Sequence, residues 1–428
     1  MNILVIGSGG REHALCHALR KTSRRSLKLF CAPGNAGIAQ AATLVPIGPT
    51  ETGKLAGFAE ESAIDLTIVG GEAPLAAGLV DEFEARGLLI AGAPRSAARL
   101  ESSKAFAKDF MRRHHIPTAR YSIADSPSEA SEILRRGEFG GEGAPVVVKA
   151  DGLAAGKGVV VAASRAEALR AIEDLMVHHS AGAEAASRVV LEEALEGPEA
   201  SLLLFSDGES YALMPPARDH KRVGEGDTGP NTGGMGAITD RSVIDDETLA
   251  LARREIIEPT LRGALSDGLP FRGVLFIGLM LTTDGPRVLE YNVRFGDPEA
   301  QAILVRLESD LSDIFERVAR REGLDESEVR WSESPSACVV LAARGYPARP
   351  ETGARIEGLE RAAAHEGVEI FHAGTMRDAE GHWLTGGGRV LGVTATAPRL
   401  EDALRRCYDS IAEIRWDGMH YRRDIGRF

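Results

Sequence analysis

The chain has 428 residues, of which 43% are hydrophobic and 26% charged, and its formal net charge is −13. That length exceeds one hydrophobic core and fits two to four domains. The acidic balance excludes a general nucleic-acid-binding surface, and the longest apolar runs, such as 274–281, are strand-sized and exclude a membrane span. The start "MNILVIG" lacks a basic segment followed by an apolar one and a small-residue cleavage site, so no export signal is expected. Cys16, Cys31, Cys338 and Cys407 form no C-x-x-C pair and read as reduced thiols in a cytoplasmic protein.

Residues 2–6, "NILVI", predict a buried parallel strand, followed by the turn "GSGGRE" and the helix "EHALCHALRK". Segments 27–35, 65–74 and 87–94 repeat the strand-and-loop pattern with helix-like stretches between. An open parallel α/β sheet over roughly the first hundred residues follows. The turn is a poor dinucleotide fingerprint. Glu12 stands where a third glycine is wanted, and "CAPGN" closes the second strand without an acid for a ribose. Two readings stay open: a tight strand-to-helix turn, or a helix N-terminus holding another phosphate-bearing ligand. His13 and His17, four apart, have no nearby third ligand and read as packed or solvent-facing.

A helix stopped by Pro117 comes next, then two strands flanking "ADGLAAGKG" and two more over 187–208. Only three residues separate Gly152 from Gly156-Lys157, and a strand follows Gly158, so this is no Walker A loop. It is either a flap laying backbone N–H groups and Lys157 over a polyphosphate or a flexible hairpin tip. "DHKRVGEGDTGPNTGGMG", Asp219 to Gly236, has six glycines and no helix or half-buried strand pattern, and reads as a long polar loop. After a helix around 246–265, two strands meet at a turn carrying Asp284-Gly285. Alternation puts Leu289, Tyr291 and Val293 on one face and Glu290, Asn292 and Arg294 on the other. The carboxylate and amide oxygens of Glu290 and Asn292 suit a hard cation, or else a solvated face. Asp297-Pro298-Glu299 also fits an N-cap, first-position proline and first-turn acid. A boundary falls at 330–336, before a smaller α+β region.

Together "SKAFAKDF", "KADGLAAGKGV", the 219–236 stretch and "EYNVRFGDPE" resemble, in order and spacing, the glycinamide ribonucleotide synthetase family of the ATP-grasp superfamily. The resemblance spans nearly the whole chain, and the 219–236 stretch is its most specific part. It implies an α/β and α+β multidomain protein. An N-terminal α/β domain would cover 1–101, an ATP-grasp domain 102–329 with a flap subdomain about 120–191, and a C-terminal domain 330–428. It further implies a monomeric ligase of purine biosynthesis acting on ATP, glycine and 5-phosphoribosylamine, with Mg²⁺ or Mn²⁺. No nucleic-acid or membrane partner is expected.

By that resemblance, Lys104 and Lys149 are phosphate lysines, and Gly152, Ala155, Gly156, Lys157 and Gly158 belong to the flap over ATP. Glu192 would lie near the adenine amine, Leu195 would offer backbone, and Glu199 would hold the ribose. Glu290 and Asn292 would bind the metal, with no further acid supplied by "FIGLML". Arg294, Gly296 and Asp297 would adjoin the reacting centre, and Asp219, Lys221, Asn231, Thr232, Gly233 and Gly234 the acceptor site. Gly9, Gly10, Asn35 and Glu72 would face the same cleft. A purine-pathway carboxylase of the same superfamily is the nearest alternative; a dinucleotide oxidoreductase and a non-catalytic nucleotide-binding module are weaker ones.

Overall fold

The computed structural model describes residues 1–154 and 158–428. The chain opens with β1 (Asn2–Gly7), β2 (Lys28–Pro33), β3 (Thr43–Leu44), β4 (Leu66–Val69) and β5 (Ile90–Ala91), all parallel, in the order β3-β2-β1-β4-β5. Ile3 to Ile6 and Leu66 to Ile68 are buried on both faces, which is why these strands read as unbroken apolar runs rather than alternating ones. The winding direction reverses between β1 and β4. That switch point sets the turns after Gly7 and after Val69 side by side at the carboxyl ends of the strands, where such sheets bind ligands.

A four-stranded sheet follows: β6 (Tyr121–Ala124), β7 (Val146–Ala150), β8 (Val159–Ala162) and β9 (Val189–Glu193), ordered β6-β9-β7-β8. Its own core, built on Val148, Leu191, Ala168 and Leu175, is distinct from those of the rest of the chain. The glycine-rich connection leaves β7 and returns as β8, and Ala155, Gly156 and Lys157 lie outside the described residues.

The remaining strands are β10 (Glu199–Asp207), β11 (Tyr211–Leu213), β12 (Ala217–Asp219), β13 (Arg222–Gly224), β14 (Thr228–Asn231), β15 (Gly236–Thr239), β16 (Arg272–Thr282), β17 (Gly285–Asn292), β18 (Ser336–Ala342), β19 (Val368–His372), β20 (Thr375–Arg377), β21 (Trp383–Thr385) and β22 (Arg389–Thr396). Nine form one sheet ordered β17-β16-β10-β12-β15-β18-β22-β19, with β11 on β10. The seam β15–β18 is an antiparallel ladder from Gly236↔Val339 to Thr239↔Ser336, so the segment after 330 extends the central sheet instead of standing apart from it. Its hydrophobic core accordingly includes Ala200, Ile238 and Val243.

Two local expectations change. The polar stretch 219–236 is not all loop: β13 and β14 form a hairpin turned at Gly226 and Asp227, both with positive φ. In β17 the simple alternation fails at Leu289. Gly278 faces Glu290 but Leu279 faces Val288, so Leu289 is the extra residue of a β-bulge, and Val288, not Leu289, shares the buried side with Tyr291 and Val293.

Candidate active site

The cleft is built where the first sheet, the four-stranded sheet and β10, β12 and β17 converge. Lys149, on β7, is 6% exposed; its Nζ donates to the Leu289 carbonyl at 3.0 Å. The bulge thus gives Lys149 an acceptor that a regular ladder would occupy. The same ammonium lies 2.9 Å from Glu192 Oε1, while Glu192 Oε2 accepts from Lys108 Nζ at 2.9 Å. Lys108 also donates to Thr118 Oγ1, whose hydroxyl donates to the Val288 carbonyl. A buried Lys108–Glu192–Lys149 set therefore clamps the bulge from both sides. Burial, partly countered by Glu192, brings Lys108 down to about 8. Glu192, expected beside an adenine amine, has its carboxylate engaged by these two lysines. Lys108 was missed because a lysine inside "SKAFAKDF" looks like one of a helix's exposed charges.

Lys104 begins the helix Lys104–Arg113, capped by Ser103 Oγ, which accepts from Phe106 N–H. Its Nζ donates to the Gly152 carbonyl at 3.2 Å, the point where the glycine-rich connection leaves β7. Burial lowers Lys104, against the pull of Glu290. Gly152 packs against Ala185, and Gly158 closes on Ala150 N–H at 2.7 Å. Leu195 is half-buried in the link between β9 and β10, and Glu199 opens β10.

Glu290 and Asn292 project from one face of β17 beyond the bulge, opposite Gly278 and Phe276. Burial pushes the Glu290 carboxyl up, but Lys221, Lys149, Lys104 and Arg294 outweigh it and hold it below the usual carboxylate range. Arg294 is shared among Glu72 Oε2 (3.1 Å), Glu101 Oε1 (2.7 Å), Asn292 Oδ1 (3.2 Å) and the Phe295 carbonyl (3.1 Å). It ties the first-sheet switch point to the metal-type pair. Glu101 also accepts Val293 N–H at 2.7 Å. Sequence reading missed Glu101, whose segment carries only an ordinary helical pattern.

The 219–236 end of the site centres on Lys221, whose Nζ donates to Glu199 Oε2 at 2.7 Å and lies 3.5 Å from Asp219 Oδ1. Burial disfavours its charge, yet Asp219, Glu199 and Glu290 raise it well above the ordinary lysine value. Its side chain is still 39% open to the cleft, so solvent weakens these pairings. Asp219 is raised by burial, with Lys221 opposing. Glu299, the expected first-turn acid of its helix, is buried and pushed up to about 7 by burial and by Asp219. Gly296 leaves room for it, since a Cβ there would collide with its carboxylate.

Asp297 is not the cap of the helix Glu299–Leu304; Pro298 holds that position without a side-chain bond. Asp297 instead accepts from Gln301 Nε2 at 2.8 Å and pairs with Arg389 of β22 at 3.0 Å. Arg389 also takes the Gly233 carbonyl at 2.5 Å, and a Cβ on Gly234 would stand 2.5 Å from Pro298 Cδ. The backbone N–H groups of Thr232, Gly233 and Gly234 go to the Lys221 carbonyl, Tyr346 Oη and Thr232 Oγ1, so the glycines admit protein neighbours here. Asn231 ends β14 at the mouth of this loop.

On the first sheet, Gly9 N–H donates to Glu12 Oε2 at 2.5 Å and Glu12 pairs with Arg11. Gly9 and Gly10 lie against Asp297 and Gln301. Asn35 is used internally: its amide donates to the Ser8 and His372 carbonyls and accepts from Gly37 and Ile38 N–H. His13 accepts from His372 N–H, so of the packed and solvent-facing readings it takes the packed one. Two surface hollows, about 600 Å³ beside Arg24, Asp310 and Arg317 and about 900 Å³ beside Asp109, Tyr121 and Arg287, contain none of the site residues. Among the described residues, Asp378, Glu380 and His382 form a further cluster, in which Asp378 closes a turn by accepting Glu380 and His382 N–H.

A parallel switch-point sheet, two antiparallel sheets with a glycine-rich connection between β7 and β8, and lysines around a carboxylate–amide pair define an ATP-grasp enzyme. Family models described as phosphoribosylglycinamide synthetase match residues 1–101 (N domain), 102–300 (ATP-grasp domain) and 336–428 (C domain). A Brucella melitensis relative named phosphoribosylamine–glycine ligase is 48% identical over 426 residues, covering 100% of this chain and 97% of its own. The crystal structure of phosphoribosylamine–glycine ligase from Thermotoga maritima superposes with TM-score 0.85 at 34% identity, covering 100% of both chains. N5-carboxyaminoimidazole ribonucleotide synthetase from the same organism shares the fold alone, at TM-score 0.63, 18% identity and coverage of 97% and 99%. The chain belongs to the phosphoribosylglycinamide synthetase family.

Proposed function

We propose that this chain ligates glycine to 5-phosphoribosylamine with ATP, giving glycinamide ribonucleotide, ADP and phosphate. The observation that carries the reading is the gathering of Lys104, Lys149 and Lys221 around the Glu290 carboxylate, in a chain of this family. A glycine carboxylate oxygen attacks the γ-phosphorus of ATP and ADP leaves. The sugar amine then attacks the carbonyl carbon of glycyl phosphate, the C–O bond to phosphate breaks, and the amine gives up a proton. Neither step needs a side-chain nucleophile; both need positioning and charge neutralisation.

Lys104 and Lys149 serve the phosphates, at the root of the flap and on β7. The charged Glu290 carboxylate and the Asn292 amide oxygen are hard donors on one strand face, suited to Mg²⁺ or Mn²⁺. The ion, when bound, supplies charge neutralisation on the transferring phosphates. Arg294 keeps Asn292 oriented and carries positive charge toward the reacting centre. Lys221, Asp219, Asn231 and the 232–234 turn form the acceptor wall, with Asp297, Gly296, Gly9, Gly10 and Glu72 opposite. Leu195 and Glu199 border the nucleoside end. Glu192 acts through Lys149, and Asn35 acts by holding the turn behind Ser8. Four buried thiols fit a cytoplasmic setting, and no helix among the described residues is long and apolar enough to cross a membrane.

The test is ADP release with glycine and phosphoribosylamine supplied together, singly, or with bicarbonate in place of glycine. Release dependent on both organic substrates is expected. Bicarbonate-dependent release would instead favour a carboxylase.

A further inference from the structure

The hairpin β13–β14 is two short strands, and an isolated hairpin of that size is marginal in water. Its conformation comes from a segment some 200 positions away in sequence, 420–428. His420 Nε2 meets the Val223 carbonyl at 2.8 Å. Asp424 Oδ2 accepts Gly226 N–H at 2.8 Å, and Glu225 Oε1 accepts Arg423 N–H at 3.2 Å. Gly426 N–H donates to His220 Nε2 at 2.9 Å, and the His220 and Phe428 rings stack at 4.3 Å. At the centre lies Arg422, with 0% exposure despite its charge. Its guanidinium forks onto Asp424 (2.8 and 2.7 Å) and reaches Asp227 Oδ1 (2.6 Å) and the Arg222 carbonyl (3.1 Å).

The segment is itself anchored. His420 and Ala342 exchange backbone bonds of 2.7 and 3.0 Å, and Tyr408 Oη donates to the Arg422 carbonyl at 3.1 Å. Ile425 packs so closely on β15 that a Cβ on Gly236 would come within 2.7 Å of it. A planar fork with fixed donors selects one register of its partners, which a single ammonium cannot do.

We infer that Arg422 is a positioning residue for ligation: by locking hairpin 222–231 onto segment 420–428, it holds Lys221 and Asn231 at the acceptor end without touching substrate. This rests on the reading of 219–236 as the acceptor wall. The nucleotide side, built on β7, β9 and the helix Lys104–Arg113, shares none of the Arg422 contacts and meets this wall at Lys221–Glu199.

The test compares wild type with Arg422→Lys and Asp424→Asn. It measures nucleotide affinity, kcat/KM for phosphoribosylamine at saturating ATP and glycine, and hydrogen exchange across 222–231. The expected result is a loss of about tenfold or more in kcat/KM, the size of one charge-assisted fork. Nucleotide affinity should stay within about twofold, and exchange in the hairpin should be faster. Unchanged kcat/KM despite faster exchange overturns the inference, as does an equal loss of nucleotide affinity, or lost kcat/KM with unaltered exchange. If Arg422→Lys fails to fold, Asp424→Asn decides by the same readouts. A wild-type protein without phosphoribosylamine-dependent ADP release would sink the acceptor reading itself, a separate outcome.

Discussion

Two glycine-rich segments, the turn Gly7–Gly10 and the loop Asp219–Gly236, look equally suited to a ligand, yet the molecule uses them differently. In the turn the space is filled from within. Gly7 has φ +134° and a Cβ there would stand 2.5 Å from Glu12 Cδ, while Glu12 also takes the Gly9 N–H. In the loop the backbone donors are likewise satisfied by protein, but Lys221, paired with Glu199 and Asp219, keeps its side chain 39% open. Glycine content therefore marks close approach and does not say what approaches. The loop leaves a charged group accessible, Lys221 at 39%, whereas Arg11 in the turn is 12% exposed.

That distinction breaks if cleft-facing groups prove structural. Glu290→Gln should be the strongest test, because it keeps shape while removing the charge of the metal-type pair. Turnover should fall by at least ~100-fold with a thermal midpoint near wild type. Near-normal activity of the folded variant at ordinary magnesium would show that this strand face is merely solvated. Lys221→Ala comes next. One lost charge-assisted contact is worth roughly 1.5–3 kcal/mol, or about ten- to a hundredfold in phosphoribosylamine-dependent turnover. Nucleotide affinity should change much less, and equal losses in both would make the loop a general ATP element.

The turn should respond in the opposite currency. Glu12→Ala leaves the Gly9 N–H and the Arg11 guanidinium without their buried partner, a loss of about 1–3 kcal/mol of stability. Denaturant midpoints should drop, while turnover of the folded fraction suffers less than in Lys221→Ala. A variant with unchanged midpoint and collapsed turnover would move Glu12 from support to chemistry.

Four strands of the first sheet were legible because buried parallel strands write continuous apolar runs; β3, two exposed residues, carries no such run. The Glu290/Asn292 pair was legible because strand period is two. What escaped detection has one cause: partners distant in sequence. The bulge at Leu289 is fixed by Lys149 and by Lys108 through Thr118, none of them near β17 in the chain. Arg389 and Tyr346 hold the 233–234 turn from beyond residue 336, and Arg422 holds the hairpin. The ladder β15–β18 likewise joins segments on either side of the boundary expected at 330–336.

Both regions rest on buried imidazoles, and this gives the smallest and sharpest comparison. Burial brings His220, behind the loop, down to about 4, and it brings His13 and His372, behind the turn, down to about 3 and about 4. Each ring is neutral in the folded protein, while in the unfolded chain it takes up a proton below about 6.5. The folded state therefore binds fewer protons between roughly pH 4 and 6.5, and stability must rise with pH across that window. This contribution is complete above the unfolded value and is lost as pH falls through the folded one. The slope for each ring has a ceiling of about 1.4 kcal/mol per pH unit, and carboxylates titrating in the same range add their own. The decisive quantity is thus a difference. His220→Gln removes the titrating ring while offering an acceptor for Gly426 N–H, so its unfolding free energy should fall less steeply from pH 6.5 to 4.5 than that of wild type. Hydrogen exchange should locate the wild-type acid loosening at 220–231 as well as at the first sheet. Parallel slopes in the two proteins would place the acid lability outside the loop and leave the packed turn as the sole imidazole-dependent region.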